Sequence, residues 1–329
     1  MGIELKNPVI VGASNMVTDI DKVKKMEDAG ASAIVYKTLF EEQIQLENLQ
    51  LEEEMSEYSE RNAEMLRLFP NLEHAGPQEH LYHLQKAREA VDIPIIASLN
   101  CIYDETWTEY AKMIQETGVH ALELNFYTTP QDYDRDARTI IAEQVEIVSQ
   151  IRKVVHIPIS VKLSPFYVNV LNVCSQMYAE GADGFVLFNR LFQPDIDPDT
   201  EKHFYNYNLS NVDDNKLAMR FAGILHGNMR GYICSSGGIY TGYDAIKMIL
   251  AGADCIQVVS TLYQNGIGQI TTILNDINEW MEKKKYKNID AFRGKLSKKN
   301  TKDPFTYKRS QYVDILMKSE EIFKKYPIR

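Results

Sequence analysis

The chain has 329 residues, 44% hydrophobic and 25% charged, with a formal net charge of -10 at pH 7. This acidic, ordinary globular composition excludes a general affinity for nucleic acid or anionic membranes and suits one large soluble core. No apolar run approaches the roughly 18 residues of a bilayer span, and the N-terminus lacks the apolar core of a signal peptide, so a cytoplasmic location is expected.

In chain order, eight short apolar segments each stop at a polar residue: PVIVGAS (8–14), AIVYKT (33–38), IPIIASLN (93–100), ALELNF (121–126), IPISVKL (157–163), GFVLFN (184–189), GYICSS (231–236) and ADCIQVVST (253–261). They are β-rich, continuously apolar and spaced at crossover length, as parallel strands buried on both faces by helices are. Eight such units predict a (β/α)8 TIM barrel. Four of the connections repeat a helix, then Gly, then the next strand, with Gly30, Gly118, Gly181 and Gly252 at the left-handed position that ends a helix. Pro94 and Pro158 stand at strand starts, where no ladder donor is lost.

Three stretches exceed a minimal barrel. Residues 39–92 carry an acidic cluster, a turn around Pro70, Asn71 and Gly76, and a second helical stretch, so an extended β2-α2 region of helix, loop and helix is predicted. Residues 190–212, rich in aromatics and turn formers, form a candidate lid. From Lys283 the chain turns basic, and the tail is expected to fold back onto carboxylates. The division expected is a barrel over residues 1–296 and a C-terminal extension over 297–329.

Barrel active sites form at the carboxyl ends of the strands. Ser14, Lys37, Asn100, Asn125, Lys162, Asn189, Ser236 and Thr261 would ring that mouth. Any one of them could be polar simply because a strand leaves the core there; two lysines and three asparagines at one type of position argue for a ligand. Gly237 and Gly238 would let the backbone approach an oxyanion, and Ser260 with Thr261 would add hydroxyl donors, which together make a phosphate cradle. Lys37 and Lys162 could form a Schiff base, hold a cofactor anion or pair with a carboxylate; beside a phosphate cradle, charge stabilisation is the economical role. Cys101, Cys174, Cys234 and Cys255 are scattered without C-x-x-C spacing, which fits buried thiols and gives no metal motif.

The strings ELKNPVIVGAS, VYKT, VKLSP, LFN, SSGGIYTGYDA, GADCIQVVSTLY and IDAFRGKL, in this order over residues 4–296, resemble the successive motifs of the dihydroorotate dehydrogenase family, class 1 above all. The resemblance implies an FMN-containing barrel that oxidises dihydroorotate to orotate in pyrimidine biosynthesis. It implies flavin contacts at Ala13, Ser14, Lys37, Thr38, Asn100, Asn125, Lys162 and Asn189, with the phosphate at Gly237, Gly238, Ser260 and Thr261. Lys37, Asn125 and Asn189 would also meet substrate.

The departures fall in the substrate machinery. Where the family has N-x-S-C-P-N, this chain reads NFYTTP, so Thr128 takes the position of the catalytic base and Pro130 replaces a substrate-binding asparagine. The family's N-S-M-G-L-x-N segment is replaced by LFPNLEHAG. The expectation is therefore an FMN-dependent oxidoreductase with Thr128, Lys37 and Lys162 at its catalytic centre. The alternatives are a flavoenzyme for another small substrate, a non-catalytic flavin-binding partner subunit, and a Schiff-base lyase using Lys37 or Lys162. The N-terminal extension of quinone-linked members is not seen, so the expected partners are a small substrate and a soluble acceptor or separate redox protein. A homodimer is left open.

Overall fold

The computed structural model describes residues 2–44, 77–101, 104–126, 133–191, 194–205, 208–308, 310–318, 320 and 324. Eight parallel strands close a barrel: β1 (Val9–Val11), β2 (Ala33–Val35), β4 (Ile95–Asn100), β5 (Ala121–Asn125), β6 (Ile159–Leu163), β7 (Gly184–Leu187), β10 (Tyr232–Ser236) and β11 (Cys255–Val258). β1 pairs with both β11 and β2, and β2 with β4, which seals the ring. All eight predicted strands are present, and the (β/α)8 TIM barrel is borne out.

The helices return outside the ring: α1 (Ile20–Asp28), α2 (Gln78–Glu89), α3 (Asp104–Glu116), α4 (Ala137–Val154), α5 (Val170–Ala179), α6 (Asn215–Leu225), α7 (Gly242–Ala251), the short α8 (Ser260–Asn265), α9 (Gln269–Lys284) and, beyond the barrel, α10 (Ser310–Met317). Local chemistry fixes their starts. Asp19 caps α1 by accepting from the N–H groups of Asp21 and Lys22, and Thr241 with Asp244 makes a reciprocal capping box on α7. Gly30, Gly118, Gly181 and Gly252 all have positive φ, as predicted.

A short strand, β3 (Leu39–Phe40), was not expected. Between the pairs Val35↔Ile96 and Leu39↔Leu99, the chain has four steps on one side and three on the other. One residue is therefore extra, a bulge after which β3 continues the β2 edge along β4. The predicted helix thus starts later, with a helical turn at residues 41–44. The turn around Pro70, Asn71 and Gly76 lies outside the described residues, while the second predicted helix is α2.

The candidate lid has regular structure that the sequence did not signal. Its centre is an antiparallel hairpin, β8 (Pro194–Asp197) with β9 (Lys202–Tyr205), paired from Pro194↔Tyr205 to Asp197↔Lys202.

The tail docks mainly by backbone hydrogen bonds: Gly294 N–H to Ile249 O, Leu296 N–H to Leu250 O and Lys298 N–H to Gly223 O. Phe292, fully buried, packs against Trp280 and Tyr286. Of the expected contacts to carboxylates, Arg293 reaches Asp254 at 3.4 Å and also pairs with Asp290.

Candidate active site at the carboxyl ends of the strands

Side chains alternate across a strand, and here alternation separates two cores. Leu122 and Leu124 of β5 face the helices, while Ala121 faces inward with Ile10, Ala33, Val35, Ile96, Val186, Cys234 and Cys255. That inner layer is apolar, and all four cysteines are buried free thiols. Higher in the barrel the inward positions turn polar: Ser98, Asn100, Glu123, Asn125, Ser160, Lys162 and Gln257 are all buried. Burying such groups is tolerable only when they are paired.

The pairing is specific. Gln257 Nε2 donates to Glu123 Oε2 at 2.5 Å, and Lys162 Nζ donates to Gln257 Oε1 at 3.3 Å. Lys162 Nζ also stands 3.7 Å from Glu123 Oε1, an ion pair too long for a hydrogen bond. Nearer the mouth, Asn189 Nδ2 donates to Asn125 Oδ1 at 2.8 Å, and Asn100 Nδ2 to the Asn125 carbonyl at 2.5 Å. The bulge after β2 sets Thr38 Oγ1 2.9 Å from Ser98 Oγ.

A cleft of about 420 Å³ opens above Lys162. Seven of the predicted residues line it: Ala13, Lys162, Asn189, Ser236, Gly237, Gly238 and Ser260. Asn125 stands directly behind Asn189. Thr261 is buried and turns away from the cleft, accepting from Asn265 Nδ2 and donating to the Tyr240 carbonyl. Lys37 is half-buried and does not line the cleft; its charge, after burial itself, helps hold the His80 imidazole down to about 4. Thr128 and Pro130 lie outside the described residues.

The two glycines have different jobs. A Cβ on Gly237, at φ +89°, would meet nothing within 4 Å, so open space adjoins it. A Cβ on Gly238, at φ +67°, would lie 2.5 Å from the Asn215 nitrogen and 2.6 Å from the Asn211 carbonyl oxygen. Gly238 thus permits close packing at the start of α6, and its N–H donates to Ser210 Oγ. Ser210 also stands 2.9 Å from Ser260 Oγ, hydroxyl to hydroxyl.

Arg190 clamps this loop. It donates to the Asn208 carbonyl at 2.6 Å, to Asn208 Oδ1 and the Leu209 carbonyl at 3.0 Å each, and to Asp214 at 2.7 Å. Arg190, Leu191 and residues 208–210 wall the cleft, so the ends of the predicted lid are fixed parts of the site.

Sequence reading missed Glu123, Gln257, Arg190 and Ser210. The first two carried a signal: each lies inside an apolar run and shares the inward face of its strand, Glu123 two residues before Asn125. Arg190 and Ser210 sit in loops where no periodicity points to them.

The residues present fit the FMN implied by resemblance. The cleft volume falls in the range of about 300–1,000 Å³ for small-molecule sites. Gly237 leaves room for an anionic end, Lys162 sets a cation beneath, and the buried Ser14 hydroxyl beside Ala13 has no partner among the described residues. Among those residues, no helix is long and apolar enough to cross a membrane.

The family model described as dihydroorotate dehydrogenase matches residues 1–281. Similar proteins include the catalytic subunit of dihydroorotate dehydrogenase B (NAD(+)) from Methanocaldococcus jannaschii, 25% identical over 291 residues, covering 85% of this chain and 92% of that one. The corresponding subunit from Thermoplasma volcanium is 26% identical over 299 residues, covering 89% and 95%. The chloroplastic dihydropyrimidine dehydrogenase (NADP(+)) of Arabidopsis thaliana is 21% identical over 318 residues, covering 89% and 75%. These relatives are oxidoreductases, and with the match running through every strand of the barrel, the chain belongs to the dihydroorotate dehydrogenase family.

Proposed function

We propose that this enzyme is an FMN-dependent oxidoreductase that takes a hydride and a proton from a small cyclic amide, dihydroorotate or a dihydropyrimidine, leaving a new C=C bond. The observation that carries this reading is the Lys162 ammonium held at the floor of the cleft and walled by Ala13, Asn189 and Gly237.

FMN bound here would supply the hydride acceptor that no protein side chain provides. Lys162, lining the cleft, would offset negative charge on a group bound there. Asn189, its amide oriented by Asn125, presents donor and acceptor to the amide edge of the substrate. Phe188 and Leu209 cover the cleft with apolar surface and exclude water. The proton leaves through the Thr128 hydroxyl, which passes its own proton to water, or to a water that the hydroxyl orients; either is a weaker base than a cysteine thiolate. A lysine already paired with a buried carboxylate supports charge stabilisation over amine nucleophile chemistry, which weighs against the lyase reading.

The NFYTTP loop favours a substrate other than dihydroorotate, and the dihydropyrimidine dehydrogenase relative supplies the class. The names of the two catalytic-subunit relatives support a separate redox protein as electron acceptor.

The test is to denature purified protein, identify released flavin by mass and absorbance, and titrate the native enzyme anaerobically with dihydroorotate and, separately, dihydrouracil. Bleaching of the visible flavin band by either substrate supports the reading. Absence of flavin after supplementation with it sinks the cofactor assignment; bound flavin that neither compound bleaches sinks the substrate class.

A further inference from the structure

We infer that Glu123, which never reaches the cleft, is a positioning residue that sets the redox behaviour of the site by orienting Gln257 and partly neutralising Lys162. The inference rests on the flavin reading above and goes beyond it.

Glu123 is fully buried in the middle of the barrel, whereas Lys162 and Gln257 both line the cleft. A carboxylate accepts hydrogen bonds and an ammonium donates them, while the Gln257 amide has one end of each kind. Glu123 Oε2 can therefore bind only the Nε2 end, at 2.5 Å, which leaves Oε1 to face Lys162 at 3.3 Å. The carboxylate so fixes the direction of the amide and, through it, the place of the ammonium. With a neutral group at 123 the amide is free to reverse and turn its own N–H groups on Lys162.

The second effect is electrostatic. Glu123 Oε1 lies 3.7 Å behind the ammonium and has no hydrogen-bond partner among the described residues. In this desolvated setting a carboxylate cancels a substantial part of the field the cleft would otherwise receive. Two-electron reduction makes a bound flavin more negative, so an uncompensated Lys162 favours the reduced form. Glu123 restrains that preference and keeps the flavin able to pass electrons on.

The test compares wild type, Glu123→Gln, Lys162→Met and the double variant, each loaded with FMN, by equilibration with redox dyes. Glu123→Gln is expected to raise the ratio of affinities for reduced over oxidised flavin about tenfold, a midpoint more positive by about 30 mV for a two-electron couple. In the Lys162→Met background the same substitution should shift the potential by clearly less, because only the glutamate's own charge is then removed and no ammonium remains for the amide to reorient. A purely structural glutamate would lower thermal stability without this dependence on Lys162. An unchanged potential, or an equal shift in both backgrounds, overturns the inference while leaving the flavin assignment standing; a wild type without flavin overturns both. If Glu123→Gln does not fold, Glu123→Asp, which withdraws the carboxylate by one methylene, should shift the potential in the same direction by less, and no shift there also overturns it.

Discussion

Arg190 and Asp214 form an ion pair of 2.7 Å across the rim of the cleft, joining the residue that follows Asn189 to the residue that precedes α6. Through the same guanidinium, Asn208 and Leu209 are held in place, and with them Ser210 against Gly238 and Ser260. One side chain thus links the Asn189 side of the mouth to the side formed by Gly238 and Ser260.

Arg190→Ala should release this loop. A stability loss of about 2 kcal/mol is expected in urea titrations, since several charge-assisted bonds go at once and their carbonyl partners regain only water. Flavin should also dissociate faster. Arg190→Lys should restore little, because an ammonium cannot span the carbonyls and carboxylate that the planar fork reaches. Full rescue by lysine would refute the clamp.

The paired glycines should respond differently to alanine. Gly238→Ala drives a Cβ into backbone atoms of Asn211 and Asn215, so loss of folded protein or a penalty above about 3 kcal/mol is expected. Gly237→Ala meets no neighbour and should cost about 1–2 kcal/mol for its positive φ. Its methyl group enters the open space at the cradle, so FMN affinity should fall while riboflavin, which lacks the phosphate, binds as before. Equal losses for both flavins would remove Gly237 from the phosphate site.

Thr128→Ala should slow flavin reduction by at least about 100-fold, the usual scale for a positioned proton acceptor, and leave FMN bound. Stopped-flow reduction under anaerobic conditions measures this. Unaltered kinetics would exclude the threonine from proton removal.

His80 gives the fold a pH dependence. Burial, followed by the charges of Lys37 and His83, depresses its imidazole from 6.5 to about 4, so the folded state holds the ring neutral. Between those values the unfolded chain binds the extra proton. The stabilisation is complete above about pH 6.5 and is lost as pH falls toward 4, by up to about 3 kcal/mol from this group. Urea unfolding near pH 7.5 and near pH 4.5 should show the difference. His80→Phe, which keeps a ring against Tyr36, should reduce it; the same acid loss in the variant would assign the effect elsewhere.

The barrel was legible in the chain because a strand buried on both faces needs an unbroken apolar run, and eight such runs with polar ends allow few other architectures. Lys162, Asn189 and Gly237 were legible for the same reason, each standing where a run stops. The β2 bulge and the β8–β9 hairpin were not, since each depends on pairing between segments rather than on local pattern.

What sequence alone determined, then, was the order of strands and the polar character of the mouth, both properties of single segments. Only the tertiary structure decided that Glu123 meets Gln257, 134 residues away, and that Gln257 meets Lys162 across 95. Closure of a staggered sheet sets which inward side chains share a level, and that stagger is a property of the whole ring that no single strand encodes.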